Sequence, residues 1–256
     1  MSTTLGIIVP YRDRAEHLAA FIPHLQAFFA LDALCSTVTV RIMVSEQGGN
    51  LPFNRGFVNN AGFQAMAPDV DYVCFHDVDL LPEEVDYRLS ERPAMVISDG
   101  LNSSFTPEFI RQLFSAVVLM SKEHFSSANG FSNDYWGWGF EDMDLRERLL
   151  RVGCSIEHRA GRFRRLAHVD AGSFPDGKPT PAHVRNRSRY VDLWFEQVPQ
   201  GFIRKRKTDD FWKRDGLSNL TKIQKVHSRR HLEHSGKIVV EHILVEPLHQ
   251  PQTTEG

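Results

Sequence analysis

Short apolar runs alternate with amphipathic stretches through the first third of the chain, and this alternation constrains the fold more than any other feature. Leu5 to Val9 is a continuous apolar run, the pattern of a short strand covered on both faces. Leu18, Phe21, Ile22, Leu25, Phe28 and Phe29 then recur at helical spacing, and Asp13 is placed to cap that helix. Val38 to Val44 reads as the next strand, Asn54 to Met66 as a second helix, Val70 to Phe75 as a third strand and Ala116 to Met120 as another core strand. Units of this kind predict an α/β architecture with a largely parallel sheet and right-handed crossovers. Ligands in such sheets bind beyond the carboxyl ends of strands, where Tyr11 to Arg14 and Asp77 to Asp79 both fall.

Two acidic clusters carry the candidate chemistry. In the first, the third strand runs into His76-Asp77-Val78-Asp79-Leu80-Leu81-Pro82. Alternation in an extended chain places Asp77 and Asp79 on one side, facing one cation, and hard carboxylate oxygens suit Mg2+ or Mn2+ bridging to a diphosphate. The second is Tyr135-Trp136-Gly137-Trp138-Gly139-Phe140-Glu141-Asp142-Met143-Asp144. An indole offers a flat apolar face for a sugar ring, glycines let the backbone swing, and a carboxylate can take a hydroxyl proton. The same acids also suit the first turn of a helix over Asp142 to Val152, so a purely structural reading stands beside the functional one.

Taken together, these motifs resemble the beta-1,4-galactosyltransferase family, most of all its xylose-directed branch. The resemblance begins at Ile7-Ile8-Val9-Pro10-Tyr11-Arg12-Asp13-Arg14 and continues through Phe53-Asn54-Arg55-Gly56 and the Asp77 and Asp79 segment. It then takes in Ser121-Lys122, Asn129-Gly130-Phe131 and Trp136-Gly137-Trp138-Gly139, and closes with His168 and Asp215-Gly216-Leu217-Ser218-Asn219-Leu220. It implies a GT-A-like, Rossmann-type mixed sheet flanked by helices. It also implies one glycosyltransferase domain over 1–256, with 1–120 mainly holding the nucleotide sugar and 121–256 mainly the acceptor and metal. The activity implied is inverting, metal-dependent transfer of a hexose, first galactose, from a UDP-sugar to a hydroxyl of a saccharide or glycoconjugate.

The resemblance assigns roles residue by residue. Asp142 becomes the general base, favoured as the ionised form at a helix N-terminus, and Glu141 hydrogen-bonds the acceptor. Trp138 closes over donor and acceptor on a loop hinged by Gly137 and Gly139. Pro10, Tyr11, Arg12, Arg14, Phe53, Arg55 and Val78 join Asp77 around the donor, with Phe53 for the base and the guanidinium groups for ribose and phosphate. Asp79 and His168 are the implied ligands of Mn2+, or Mg2+. Two departures matter. Where the family has a further Met or His ligand, this chain has Arg165 and Leu166, neither of which can ligate, which leaves diphosphate oxygens and water to complete the shell, or Arg165 to contact the diphosphate. Leu113-Phe114-Ser115-Ala116 replaces a family Tyr-containing segment beside the donor sugar, which keeps UDP-GalNAc or another UDP-hexose open.

Composition narrows the setting. A chain of 256 residues, 41% hydrophobic, can bury a sizeable core. It has no charged leader followed by a long apolar stretch and no 18-residue apolar run, so a soluble form is expected. Three scattered cysteines, with Phe163 where the family leads one to expect a disulfide cysteine, point to a reducing, cytoplasmic setting. The net charge of −2, without a recognised motif, argues against nucleic acid. Arg204-Lys205-Arg206-Lys207, followed by Lys213, Arg214, Arg229 and Arg230, suggests peripheral contact with an anionic membrane or glycan, although Asp209, Asp210 and Asp215 interrupt it. Two rival classes fit the same residues: a non-catalytic carbohydrate-binding relative, and a nucleotide-sugar hydrolase in which water replaces the acceptor.

Overall fold

The computed structural model describes residues 3–98, 112–167, 178–196, 205–206 and 209–248. Strand β1 (Thr3–Tyr11) leads through helix α1 (Ala15–Leu31) to β2 (Val38–Gln47), then through α2 (Arg55–Met66) to β3 (Tyr72–His76). Next come β4 (Leu80–Glu84), β5 (Ala94–Ser98), β6 (Val117–Ser121), α3 (Lys122–Ser127), α4 (Glu141–Arg151) and β7 (Glu157–Arg165). The chain finishes with α5 (Pro181–Trp194), the short pair β8 (Phe195–Glu196) and β9 (Lys205–Arg206), α6 (Leu217–Ile223), and the hairpin β10 (Gln224–Ser235) and β11 (Ile238–Pro247).

Among the described residues nine strands form one sheet in the order β10, β11, β2, β1, β3, β6, β5, β7, β4. β1 lies at its heart, and side-chain alternation there sets the layers. Leu5, Ile7 and Val9 pack with Phe21, Leu25 and Phe29 of α1 on one face. Ile8, from the opposite face, packs with Phe57, Val58, Ala61 and Met66 of α2. The three α1 residues recur every fourth position, and each is fully buried, contributing about 1.5–3 kcal/mol by removal of apolar surface from water. With helices on both faces, β1 from Leu5 to Val9 and β3 from Tyr72 to Phe75 read as unbroken apolar runs, as expected for buried strands, whereas Thr39 and Arg41 interrupt β2.

The sheet is mixed. β2, β1 and β3 are mutually parallel through the crossovers of α1 and α2, and β11 adds to β2 in the same direction. Beyond β3 the parallel pattern stops: β6 pairs antiparallel to β3 and to β5, while β7 is parallel to β5 and antiparallel to β4. The expectation of a largely parallel sheet is therefore corrected for this half, where β6 runs against both of its neighbours and β4 against β7. A second correction concerns the start of α1. Asp13 takes a left-handed φ of 52°, its side chain turns to solvent 3.4 Å from Arg12 Nε, and Arg14 occupies the cap position without a side-chain cap bond. Asn54 does cap α2, accepting from Phe57 N–H at 2.8 Å.

At the other end β10 is the outer edge of the sheet. Its ladder to β11 is broken by irregularities at Val226/Ser228 and His231/Glu233, and Lys225, Arg229 and Arg230 stand on it. Bulges and charge of this kind blunt an edge that would otherwise accept another strand. No described helix is long and apolar enough to cross a membrane.

Candidate active site

The carboxyl end of β3 is fixed from beneath. His76 is fully buried, donates from Nδ1 to the carbonyl of Asp77 (2.9 Å) and accepts at Nε2 from the Tyr87 hydroxyl (2.8 Å). Burial pushes its pKa down to about 4, so the ring is neutral and structural. Asp77 N–H donates to Ala116 O (3.1 Å) and Leu80 N–H to Asp77 O (3.4 Å), so the chain turns as it leaves the strand. β3 ends at His76, and both aspartates therefore lie on that turn, where period-two alternation no longer applies. They meet different guanidinium groups: Asp77 faces Arg55, and Asp79 Oδ2 lies 3.8 Å from Arg165 Nε. Asp79 is buried, and its carbonyl accepts from Leu166 N–H at 2.8 Å. Val78 between them packs into the core with β1 and α1.

Arg55 joins the two acidic clusters. In the first turn of α2, its Nε and Nη2 donate to Asp77 Oδ1 at 3.1 and 2.7 Å, while Nη1 lies 3.5 Å from Glu141 Oε1. Burial alone would lower the Arg55 pKa, but Asp77, Glu141 and Asp142 outweigh it and keep the guanidinium firmly protonated. Buried Asn54 fixes the helix start, taking Gln47 Oε1 at its N–H (2.7 Å) and donating from Nδ2 to Asn133 O (2.6 Å). One acid from each cluster, Asp77 after the third strand and Glu141 after the paired indoles, thus shares the Arg55 guanidinium.

The indole loop is held from two sides. Gly137 N–H donates to Phe53 O (2.8 Å), and Asn186 Nδ2 of α5 donates to the carbonyls of Trp136 (3.3 Å) and Trp138 (3.1 Å). Gly137 and Gly139 have φ of 79° and 99°, where a side chain would be strained, and a Cβ on Gly137 would come within 2.8 Å of Ala182 Cβ. Trp136 is buried, whereas Trp138 is 48% exposed.

The loop delivers two acids into the first turn of α4. Asp142 is half-buried, and its Oδ1 accepts from the Met143 N–H at 2.7 Å. Glu141 is buried, and its Oε2 has no hydrogen-bond partner among the described residues. Burial first, then the neighbouring Asp142, raise its pKa from 4.5 to about 7 against the pull of Arg55. A carboxyl that binds its proton more tightly when folded adds stability that is full below its unfolded value and is lost as pH rises through about 7. Glu141→Gln is expected to flatten that decline in urea-unfolding free energy between pH 4.5 and 7. An unchanged slope would show that the Glu141 carboxyl is not perturbed.

Other sequence-predicted residues gather at the end of β1. Pro10 is buried; Tyr11 is nearly so, and burial followed by Glu46 raises its pKa. Arg12 is turned onto the 49–51 loop, donating to the carbonyls of Leu51 and Gly49 (3.2 Å for the latter). Arg14 is half-buried at the head of α1, and Phe53 packs at the margin of the second core face. His168 lies outside the described residues, so its expected place beside Asp79 does not enter this geometry. Arg204 and Lys207 of the basic stretch lie outside them too. Among the described residues no group of three or more His, Cys, Asp or Glu side chains converges on one point.

Sequence reasoning missed the groups that support the site. Arg148 is 1% exposed and donates from Nε to Asp144 (2.5 Å) and from Nη1 to the carbonyls of Asp215 (2.6 Å), Gly130 and Trp212. Asp144 also accepts from Trp194 Nε1 (2.7 Å) and the Tyr135 hydroxyl (3.1 Å), and Asp215 from Ser132 Oγ and Asn133 N–H. The Asp215-Gly216 segment is thereby a clamp on α4. Arg148 follows Asp144 by four residues, a helical ion-pair spacing visible in the sequence.

Comparison with known proteins bears on the family and the fold. A profile for the N-terminal region of glycosyl transferase group 7 matches residues 1–90, and one described as the N-terminal domain of galactosyltransferase matches 98–171. Beta-1,4-galactosyltransferase 7 of Drosophila melanogaster is 32% identical over 231 residues, 87% of this chain and 64% of that protein. A beta-N-acetyl-D-glucosaminide beta-1,4-N-acetylglucosaminyl-transferase of Lymnaea stagnalis is 35% identical over 174 residues, 65% of this chain and 35% of its own. The chain thus spans less than two thirds of the length of these relatives. The fold superposes on a mutant of the Drosophila beta-1,4-galactosyltransferase 7, solved with manganese, UDP-Gal and xylobiose, with a TM-score of 0.66 and 24% identity, covering 96% of this chain and 94% of that one.

Proposed function

Because the chain belongs to the beta-1,4-galactosyltransferase family, we propose that it transfers galactose from UDP-galactose to a sugar hydroxyl, with inversion at the anomeric carbon. The observation that carries this reading is Arg55, which reaches Asp77 on the donor side and Glu141 on the acceptor side with one guanidinium. On this reading the leaving group lies toward the β3 end and the acceptor toward α4.

Asp142 takes the proton from the acceptor hydroxyl as its oxygen bonds to the anomeric carbon and the bond to the diphosphate breaks, releasing UDP. Glu141 hydrogen-bonds the acceptor, and Trp138 shields both sugars from water. Arg12, Arg14 and Phe53, with Pro10 and Tyr11, border the nucleotide end; Val78 serves through its backbone, since its side chain is in the core. Asp79 and His168 would hold Mn2+, which supplies charge neutralisation for the departing diphosphate. Buried Asp79 offers hard oxygens suited to such an ion, whereas Arg165 and Leu166 offer no ligand. With so few protein donors, Mn2+ is expected to bind weakly to the free protein and markedly more tightly with UDP present. Calorimetric titration checks this, and tight binding without nucleotide would count against it.

The function itself is tested by incubating the protein with UDP-sugars and Mn2+, with and without xylosides and other saccharides. UDP release that depends on acceptor supports transfer; acceptor-independent release would identify a hydrolase, and binding without release a carbohydrate-binding relative. UDP-GalNAc or another UDP-hexose is the second donor reading, favoured by Leu113-Phe114-Ser115-Ala116 and by the different sugar named for the Lymnaea relative. Both halves of the chain act as one catalytic unit on this reading. Unpaired Cys35, Cys74 and Cys154 favour a cytoplasmic setting, and Arg214, Arg229 and Arg230 favour contact with an anionic surface.

A further inference from the structure

Trp138 does not stand alone on its loop. Its indole lies on the imidazole of His183 with ring centroids 5.2 Å apart and planes 23° apart, and Phe140 meets the same imidazole at 5.1 Å. His183 is fixed in turn: its N–H donates to the side chain of Thr180, which caps α5 (3.2 Å). One turn along that helix, Asn186 holds the carbonyls of Trp136 and Trp138, so ring and backbone of the loop rest on one helix face. With the imidazole beneath it, the indole keeps its other face open, which accounts for its half-exposed state while Trp136, Trp194 and Trp212 are 6%, 0% and 5% exposed.

We propose that His183 is a positioning residue for Trp138, a floor that holds the indole level so that its free face is presented to the acceptor sugar. This rests on the transferase reading for its consequence but not for its geometry. The neutral ring suits the role, since burial and then Arg187 lower the His183 pKa. A stacked aromatic pair contributes about 0.5–1.5 kcal/mol, which corresponds to roughly a 2- to 10-fold change in an equilibrium.

Acrylamide quenching of intrinsic fluorescence tests the floor without any substrate, because Trp138 is the exposed indole and Trp138→Phe identifies its signal. His183→Ala is expected to raise the Trp138 quenching constant about twofold, since roughly half of that surface is already open. It should also raise acceptor KM by roughly 2- to 10-fold, leaving kcat nearly unchanged. His183→Phe should restore both values, and His183→Gln, which keeps polarity without a ring, should behave like alanine. Unchanged quenching and acceptor KM in His183→Ala would overturn the proposal, as would full rescue by glutamine. If the wild-type protein transfers no sugar yet His183→Ala still opens Trp138, the floor stands and the transferase reading falls.

Discussion

Asp142→Asn is expected to lower the rate of sugar transfer roughly 100- to 10,000-fold while UDP binding stays close to that of the wild type. The substitution preserves shape and can keep the hydrogen bond from the Met143 N–H, now at 2.7 Å from Oδ1, so α4 should start at the same place. What it removes is a lone pair able to take a proton. The choice between the two acids of this turn follows from their surroundings. Glu141 is buried with Oε1 3.5 Å from the Arg55 guanidinium, whereas Asp142 is half-buried. Single-turnover transfer with calorimetric UDP binding separates the outcomes. Transfer at the wild-type rate would remove Asp142 from the role and move attention to Glu141.

Arg148→Met is expected to destabilise the protein by about 3–5 kcal/mol, because it leaves the fully buried Asp144 carboxylate without its cation. For a chain of this size that corresponds to a fall in Tm of roughly 6–20 °C. The loss also takes the guanidinium donor from the carbonyls of Gly130, Trp212 and Asp215, of which the last two keep Asn129 Nδ2. Urea unfolding gives the number directly. Asp144→Asn in the same chain should recover part of the loss, since a buried amide costs less than a buried unpaired charge. A loss below about 1 kcal/mol, the range of exposed ion pairs, would mean that the clamp is not closed in solution.

The parts legible in the sequence are those where one physical rule acts alone. β1, α1, β2, α2 and β3 were readable because two-sided burial leaves unbroken apolar runs and one-sided burial leaves a helical stripe. The same clarity placed the acids of β3 and of the indole loop at strand and helix ends. Asp13 was misread as a cap because its left-handed backbone is invisible to residue type. The side-by-side placement of Asp77 and Asp79 failed where the strand ended three residues before Asp79. β10 gave no strand signal: it is an edge with interruptions and charge on both sides, so alternation is lost. His183 and Asn186 follow Pro179 and Pro181, and nothing local distinguishes them from surface polar residues.

A guanidinium claimed by two carboxylates makes their states interdependent. Any cation that draws Asp77 toward itself leaves more of the Arg55 charge to Glu141, which then gives up its proton more readily. By reciprocity, an ionised Glu141 competes for Arg55 and frees Asp77 to the same extent in free energy. A change of charge at Asp77 is therefore felt at Glu141 through a single side chain.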